Sequence, residues 1–411
     1  MSDSPAGWSK ATLADVAKWG SGGTPRARDP KYYGGSIPWA VIGDLNDSLV
    51  SRTRSKVTEA AIKDSSAKIV PAGAVLIAMY GSIGKLGIAA CEMATNQAIA
   101  HAIPHAVDNR YLFYYLLSQR NLLVGAGKGG TQQNISQTVL RSWPIVFPES
   151  INEQRIIVDI LDDHLSRLDA GMEQLSSARI RADAWFRGLA DVLVWGQASP
   201  TQPIGELLRE PMRNGRSDRR IQESQSGTRT LTITAVTRNE FIDKHTKLTT
   251  SSPEVAESLW LRRGDIFVQR ANTPELVGTA ARYSGPDRWA IFPDLLIRLR
   301  ADERVIDSRY LVAAIRTERT HREFRTRAKG LAGSMPKIDQ RTIATTVIPV
   351  PLLDEQLRVV ESLRVAELAL VRVREAIEKA QIRASHLRSA ILAAAFSGRL
   401  TAEIAEELTS A

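Results

Sequence analysis

Residues 152–196 read NEQRIIVDILDDHLSRLDAGMEQLSSARIRADAWFRGLADVLVWG, and residues 354–398 read DEQLRVVESLRVAELALVRVREAIEKAQIRASHLRSAILAAAFSG. The two stretches register without a gap. Asn152-Glu153-Gln154 falls on Asp354-Glu355-Gln356, Ile180-Arg181-Ala182 on Ile382-Arg383-Ala384, and Gly196 on Gly398. Asn or Asp at the head suits a helix N-cap, and Gly at the foot suits the position after a helix end. Apolar residues return in steps of three and four. In the first stretch the seam is Val158, Leu161, Leu165, Leu168, Met172 and Leu175, followed by the charged intruder Arg179. In the second it is Val359, Leu363, Ala366, Leu370, Val373, Ile377, Ala380, Ala384 and Leu387. This is the heptad rhythm of a coiled coil. Helices of this length, each running ~60 Å at 1.5 Å per residue, exceed what a globular core usually holds.

The segments before each stretch also correspond. In residues 1–149, Val75-Leu76-Ile77-Ala78-Met79 reads as a buried strand between Pro71 and Gly73 on one side and Gly81 and Gly84 on the other. Ile88-Ala89-Ala90 and residues 98–103 read as further strands, and residues 110–123 as one helix closing at Gly125. In residues 201–351 the same order returns. Gly264-Asp265-Ile266-Phe267-Val268 answers Gly73-Ala74-Val75-Leu76-Ile77, and Tyr310-Leu311 answers Tyr111-Leu112. Ile338-Asp339-Gln340 answers Ile135-Ser136-Gln137. The chain is a tandem duplication of globe and helix. The expected divisions are globes at 1–149 and 201–351, helical spacers at 150–200 and 352–398, and a tail at 399–411. The fold class is α+β: two α/β globes in tandem, with two long helices pairing as an antiparallel coiled coil about a pseudo-twofold axis.

Composition narrows the function. Of 411 residues, 43% are hydrophobic and 24% charged, as in an ordinary water-soluble protein. No apolar run reaches spanning length, and the opening MSDSPAGWSK lacks a signal-peptide pattern. The single Cys91 excludes an internal disulfide and suits a reducing cytoplasm. Residues 1–149 hold 15 basic and 10 acidic side chains, and residues 201–351 hold 26 and 18. The spacers are slightly acidic, at 5 against 8 for 150–200 and 8 against 9 for 352–411. A polyanion would therefore be held by the globes, leaving the helices for geometry and protein contacts.

No motif supports catalysis. Gly125-Ala126-Gly127-Lys128-Gly129-Gly130 has the composition of a phosphate loop, but no Ser or Thr follows Lys128. It reads as a backbone-contacting loop. Asp29-Pro30-Lys31-Tyr32 resembles the tetrad of adenine methyltransferases but lacks the second Pro, and reads as a turn. The six His are scattered without carboxylate partners at metal spacing. Groups suited to DNA are more numerous. Gly22, Gly23, Thr24 and Arg26 suit phosphate positioning. Thr95, Asn96 and Gln97, and then Gln132, Gln133, Asn134 and Ser136, bring amides that can pair with adenine. In the second globe, Gln269, Arg270 and Asn272 offer amides and a guanidinium suited to guanine. Lys329, Ser334 and Lys337 form a basic loop.

Taken together, Gly22-Gly23-Thr24-Pro25, Tyr32-Tyr33-Gly34-Gly35, Ile37-Pro38-Trp39, Thr95-Asn96-Gln97, Gln133-Asn134-Ile135-Ser136 and Glu153-Gln154 resemble the specificity subunit (HsdS) of type I restriction–modification systems. The second half echoes the array with residues 332–338, Glu355-Gln356 and Ala394-Ala395-Phe396-Ser397-Gly398. The resemblance implies two target-recognition domains, each reading half of a bipartite asymmetric site in double-stranded DNA, with Tyr32 among the DNA-facing residues. It implies spacers that dock two methyltransferase subunits, and restriction subunits with translocase and nuclease activity. S-adenosylmethionine, ATP and Mg²⁺ would belong to those partners, and no cofactor to this chain. The second globe departs from the first: it lacks Gly-Gly-Thr-Pro and Tyr-Tyr-Gly-Gly, and has Phe292-Pro293-Asp294 where the first has Thr95-Asn96-Gln97. Three other readings have their own discriminators. A self-sufficient restriction or methylating enzyme would methylate DNA alone, a recognition subunit of another restriction class would have different neighbouring genes, and a DNA-bridging regulator would co-purify with no methyltransferase.

Overall fold

The computed structural model describes residues 7–27, 29–128, 133–196, 198–221, 227–330 and 335–400. Contacts divide the chain into two compact units, Met1–Leu175 with Lys379–Ala411, and Ser176–Glu378. Both long helices, Ile151–Trp195 and Leu353–Ala395, are unbroken over 45 and 43 residues and cross that division. Each unit thus contains a globe, the start of one long helix and the end of the other. Among the described residues no helix is long and apolar enough to cross a membrane.

In the first unit a five-stranded sheet has the order Ala17–Ser21, Ile99–Pro104, Val75–Ala78, Leu86–Ala89, Ser48–Val50. Neighbours are antiparallel except the last pair. The three expected strands are present, with edges moved by a residue or two. A second sheet, which the sequence did not signal, orders Ser55–Val57, Tyr33–Ala40, Met93–Thr95, Ile69–Val70. The single helix expected over 110–123 is two, Asn109–Ser118 and Arg120–Gly125. The break follows Ser118, whose hydroxyl turns back to donate to the Tyr115 carbonyl at 2.6 Å.

The second unit repeats the plan with a four-stranded antiparallel sheet, Arg213–Asn214, Leu296–Leu299, Ile266–Gln269, Ala280–Arg282. A two-stranded pair closes each globe beside its outgoing long helix: Trp8–Thr12 with Pro144–Pro148, and Thr201–Pro203 with Val347–Pro349.

Each long helix is fixed at its head by a buried glutamine. The Gln154 amide donates to the Pro148 carbonyl at 2.8 Å, and its oxygen accepts from the Asp108 N–H at 2.8 Å. Gln356 does the same with Pro351 and Asp307, both at 2.8 Å, and adds the Val305 carbonyl at 3.1 Å. Asp108 and Asp307 are themselves N-caps of the helices Asn109–Ser118 and Ser308–Arg316. The expected caps shift slightly: the first helix begins after Ser150, whose carbonyl accepts from Gln154 N–H at 3.1 Å. Asp354 lies within the first turn of the second helix, where its charge meets the positive helix end.

The far ends of the helices complete the cores. In the first unit Phe396 packs edge-on against Tyr111 and Tyr115, both at 5.3 Å. Leu161 and Leu165 share a core with Leu392 and Ala395, and Asp169 pairs with Arg388. In the second, Val194 packs with Val359 and Leu363, Asp183 pairs with Arg374 at 2.7 Å, and the Arg319 guanidinium lies 3.9 Å over the Trp195 ring. Within each unit, rising numbers on one helix meet falling numbers on the other, so the helices are antiparallel.

The seam is close to the expected one, with two corrections. Leu370 and Ile377 are buried, and Leu168, Met172 and Leu175 are half-buried. Val373 and Leu387 are 43% and 51% exposed. Their neighbours Arg374 and Arg388 face across instead, bound to Asp183 and Asp169. A straight helix drifts about 20° per heptad against a 3.5-residue repeat, enough to hand the seam to the adjacent residue where that residue finds a carboxylate.

Gln154→Ala removes the partners of the half-buried Asp108 N–H and the buried Pro148 carbonyl, and should lower unfolding free energy by about 1–3 kcal/mol in urea titrations of the full chain; an unchanged midpoint would exclude the anchoring role. His101 lies buried against Gly20, in space that a Cβ would occupy. Burial, with Lys68 nearby, pushes its imidazole down to about 4 from 6.5. The unfolded chain takes up the proton first, so stability is full above pH 6.5 and falls as pH drops toward 4. That slope approaches about 1.4 kcal/mol per pH unit. His101→Gln should flatten it relative to the parent chain in denaturant unfolding across this range.

Candidate nucleic-acid interface

Strand register decides which loops of the first unit meet. In the five-stranded sheet Ser21 pairs with Ala100, Ile99 with Ala78, and Ile77 with Leu86. The residues after Ser21, before Ile99, after Ala78 and before Leu86 therefore emerge at one end. Gly22 donates its N–H to the Ile99 carbonyl at 3.2 Å, and Gly23 to the Thr95 carbonyl at 2.9 Å. The approach is so close that a Cβ on Gly22 would overlap the Thr95 carbonyl, which is why glycine is required there. The Trp39 indole N–H braces the turn through the Gly23 carbonyl at 3.1 Å. Across it the Thr24 hydroxyl donates to the Gln97 carboxamide oxygen.

Lys128 and Asn134 meet at the same end. Lys128 and Asn134 exchange two backbone hydrogen bonds at 2.8 and 2.9 Å, forming a neck, and Ile135 N–H donates to the Met79 carbonyl at 2.9 Å. Gln132, in the loop beyond the neck, lies outside the described residues.

Of the expected contacts in this unit, Thr24, Arg26, Gln97, Lys128, Gln133 and Asn134 are exposed. Gly22, Gly23 and Thr95 are buried and build the turn. Asn96 is half-buried; its side-chain oxygen and the Thr95 hydroxyl are buried without a partner among the described residues. Ser136 spends its hydroxyl capping the helix Gln137–Arg141, accepting from Val139 N–H at 3.3 Å. Tyr32 does not join the group. It precedes strand Tyr33–Ala40 at the end away from Thr95, in a small core under Lys31, whose Nζ lies 5.3 Å from its ring centre.

The second unit builds the same end from different letters. Gly215 N–H donates to the Leu296 carbonyl at 3.2 Å, and Arg216 N–H to the Phe292 carbonyl at 3.0 Å. A Cβ on Gly215 would overlap the Phe292 and Pro293 carbonyls. The Ser217 hydroxyl donates to Asp294. Lys329 and Lys337 exchange backbone bonds at 2.8 and 2.9 Å, and Ile338 N–H donates to the Arg270 carbonyl at 2.9 Å. So Gly215-Arg216-Ser217 stands where the first unit has Gly22-Gly23-Thr24, a correspondence the sequence reading missed. Only the glycine and the hydroxyl survive, and two residues are too short a signal without the strand register.

Gln269 and Asn272 are corrected. Both are buried: the Gln269 amide donates to the Thr237 hydroxyl at 2.6 Å and the Ile233 carbonyl at 3.2 Å, and its oxygen accepts from the Asn272 amide at 2.6 Å. Strand Ile266–Gln269 is buried on both faces, so Gln269 stays inside with the rest of it, and Arg270, just past the strand, is half-exposed beside the exposed Lys329 and Lys337. Ser334 lies outside the described residues. Part of the second unit's basic excess is also internal. Arg298 and Arg300 are buried on Glu210 and Asp265, and burial, with Arg300 alongside, pushes Arg298 down to about 10.

Residues 5–176 match the type I restriction modification DNA specificity domain. That match takes in the first globe and the start of the first long helix. It is 30% identical over 168 residues to the type I restriction enzyme MjaIX specificity subunit of Methanocaldococcus jannaschii, covering 39% of each chain. It is 33% identical over 159 residues to the EcoR124I/EcoR124II specificity subunit of Escherichia coli, covering 37% of this chain and 39% of that one. These matches span about two-fifths of either relative's length. A solved structure described as the structural basis of complex assembly and conformational transition of the type I R-M system shares the fold at a TM-score of 0.75. That likeness has 15% identity and covers 97% of this chain and 100% of that one.

If the lysine necks meet phosphates, Lys128→Ala and Lys329→Ala should each weaken duplex binding by the full chain equally across sequences. Each should also reduce the slope of log affinity against log salt by about 1, read in gel shifts at several salt concentrations.

Proposed function

We propose that the chain is the non-catalytic DNA sequence-specificity subunit of a type I restriction–modification complex. Each globe reads one half of a bipartite asymmetric site, and the paired long helices set the gap and receive two methyltransferase subunits. Restriction subunits with translocase activity join that core. S-adenosylmethionine, ATP and Mg²⁺ act on those partners.

One observation carries the reading: both units present the same sheet end, held by the same backbone hydrogen bonds, with different side chains at its surface. A shared scaffold with exchanged side chains is what two readers of unlike half-sites need, because backbone contacts position and side chains specify. A second observation favours protein partners on the helices. Trp185 and Val192, seven residues apart on one face of the first long helix, are each more than half exposed, and neighbouring apolar side chains on a helix surface favour association.

The test is to replace residues 1–149 with the matching segment of another family member, co-express the chain with its partner subunits, and map methylated adenines in host DNA. One half of the recognised motif should change while the other half and the gap persist. A change in both halves would contradict the modular reading.

A further inference from the structure

The hydroxyl partners at the two sheet ends occupy one place and differ in chemistry. Thr24 donates to Gln97 in the first unit, and Ser217 donates to Asp294 in the second. Both hydroxyls lie two residues beyond the glycine that touches the opposing loop. Gln97 is exposed and Asp294 half-exposed. We infer that this position is a specificity determinant: Gln97 selects adenine in one half-site and Asp294 selects cytosine in the other. The inference rests on the DNA-reading function proposed above and assigns a residue and a base to each half.

Donors and acceptors decide the pairing. A carboxamide carries a donor and an acceptor side by side, matching the N6 amino group and N7 of adenine in the major groove. With the Thr24 hydroxyl on one lone pair of its oxygen, Gln97 keeps its NH₂ and its second lone pair. A carboxylate only accepts. One Asp294 oxygen is taken by Ser217, and the other can meet only a donor. The cytosine edge offers the N4 amino group as its hydrogen-bonding group there. Guanine presents N7 and O6, both acceptors, and adenine sets an acceptor beside its amino group.

Asp294 also stands out in its setting. Arg270, Lys329 and Lys337 belong to the same sheet end, which suits it to phosphates, and an acidic side chain in such a place repels them unless it has a donor to meet. It is not needed to neutralise Arg216, which pairs with Asp218 at 2.9 Å.

The test is selection of duplexes from a random-sequence pool by the full chain, for the parent, Asp294→Asn and Gln97→Glu. The parent should enrich a two-part sequence. Asp294→Asn should shift one position of one half from cytosine toward adenine, and Gln97→Glu should shift one position of the other half from adenine toward cytosine. Each shift should be about tenfold or more in competition with single-base-substituted duplexes. In each variant the untouched half reports that the chain is folded, and if one variant loses both halves the other decides. Unchanged enriched sequences, or equal weakening on all sequences, would overturn the inference while leaving the DNA-reading function in place. A parent chain that enriches no sequence would remove that function and the inference together.

Discussion

Two buried carboxamides hold this architecture together. Gln154 and Gln356 each join the first turn of a long helix to the cap of a helix in its globe, through one buried hydrogen bond to a proline carbonyl and one half-buried bond to the capping aspartate. A hydrogen bond gains strength and directionality in such surroundings, and its loss strands both partners. The long helix, the capping aspartate and the closing strand pair are therefore set in one mutual geometry. That joint adds direction to the apolar packing of Leu161 and Leu165, and of Val359 and Leu363, into the same cores.

On this rigid base the two sheet ends divide their labour. Backbone groups do what must be the same in both: a glycine allows two loops to touch, and a two-bond neck holds a lysine beside them. Side chains do what must differ. Because the scaffold is made of N–H and C=O groups, it survives wholesale replacement of the residues around it, provided the glycine stays. That is how two globes with little shared sequence keep one shape.

The sequence was legible where a period or a repeat carried the information. The duplication, the long helices and the three buried strands could be read from spacing alone, because hydrophobic periodicity reports burial directly. The Glu-Gln pairs could be seen as matching, but not understood, since their partners lie 46 and 49 residues away. Val373 and Leu387 satisfy a heptad on paper and lose the seam to neighbouring arginines whose carboxylate partners sit on the other helix. Gln269 looks like a base reader among polar neighbours, but its strand is buried on both faces and its carboxamide is spent on Ile233, Thr237 and Asn272. Gly215 and Ser217 escaped notice because their meaning comes from register with Leu296 and Phe292, which no local pattern encodes.

The edge-on packing of Phe396 against Tyr111 and Tyr115 has a consequence for biosynthesis. The first globe is built from the opening residues and from a segment made nearly three hundred residues after its own sheet, whereas Ser176–Glu378 is contiguous. On the ribosome the leading globe can collapse early, but its tyrosine face is sealed only once Phe396 has been made. The second globe can finish while the first still waits with its tyrosines unsealed, so the nascent chain carries an open apolar face through most of its translation.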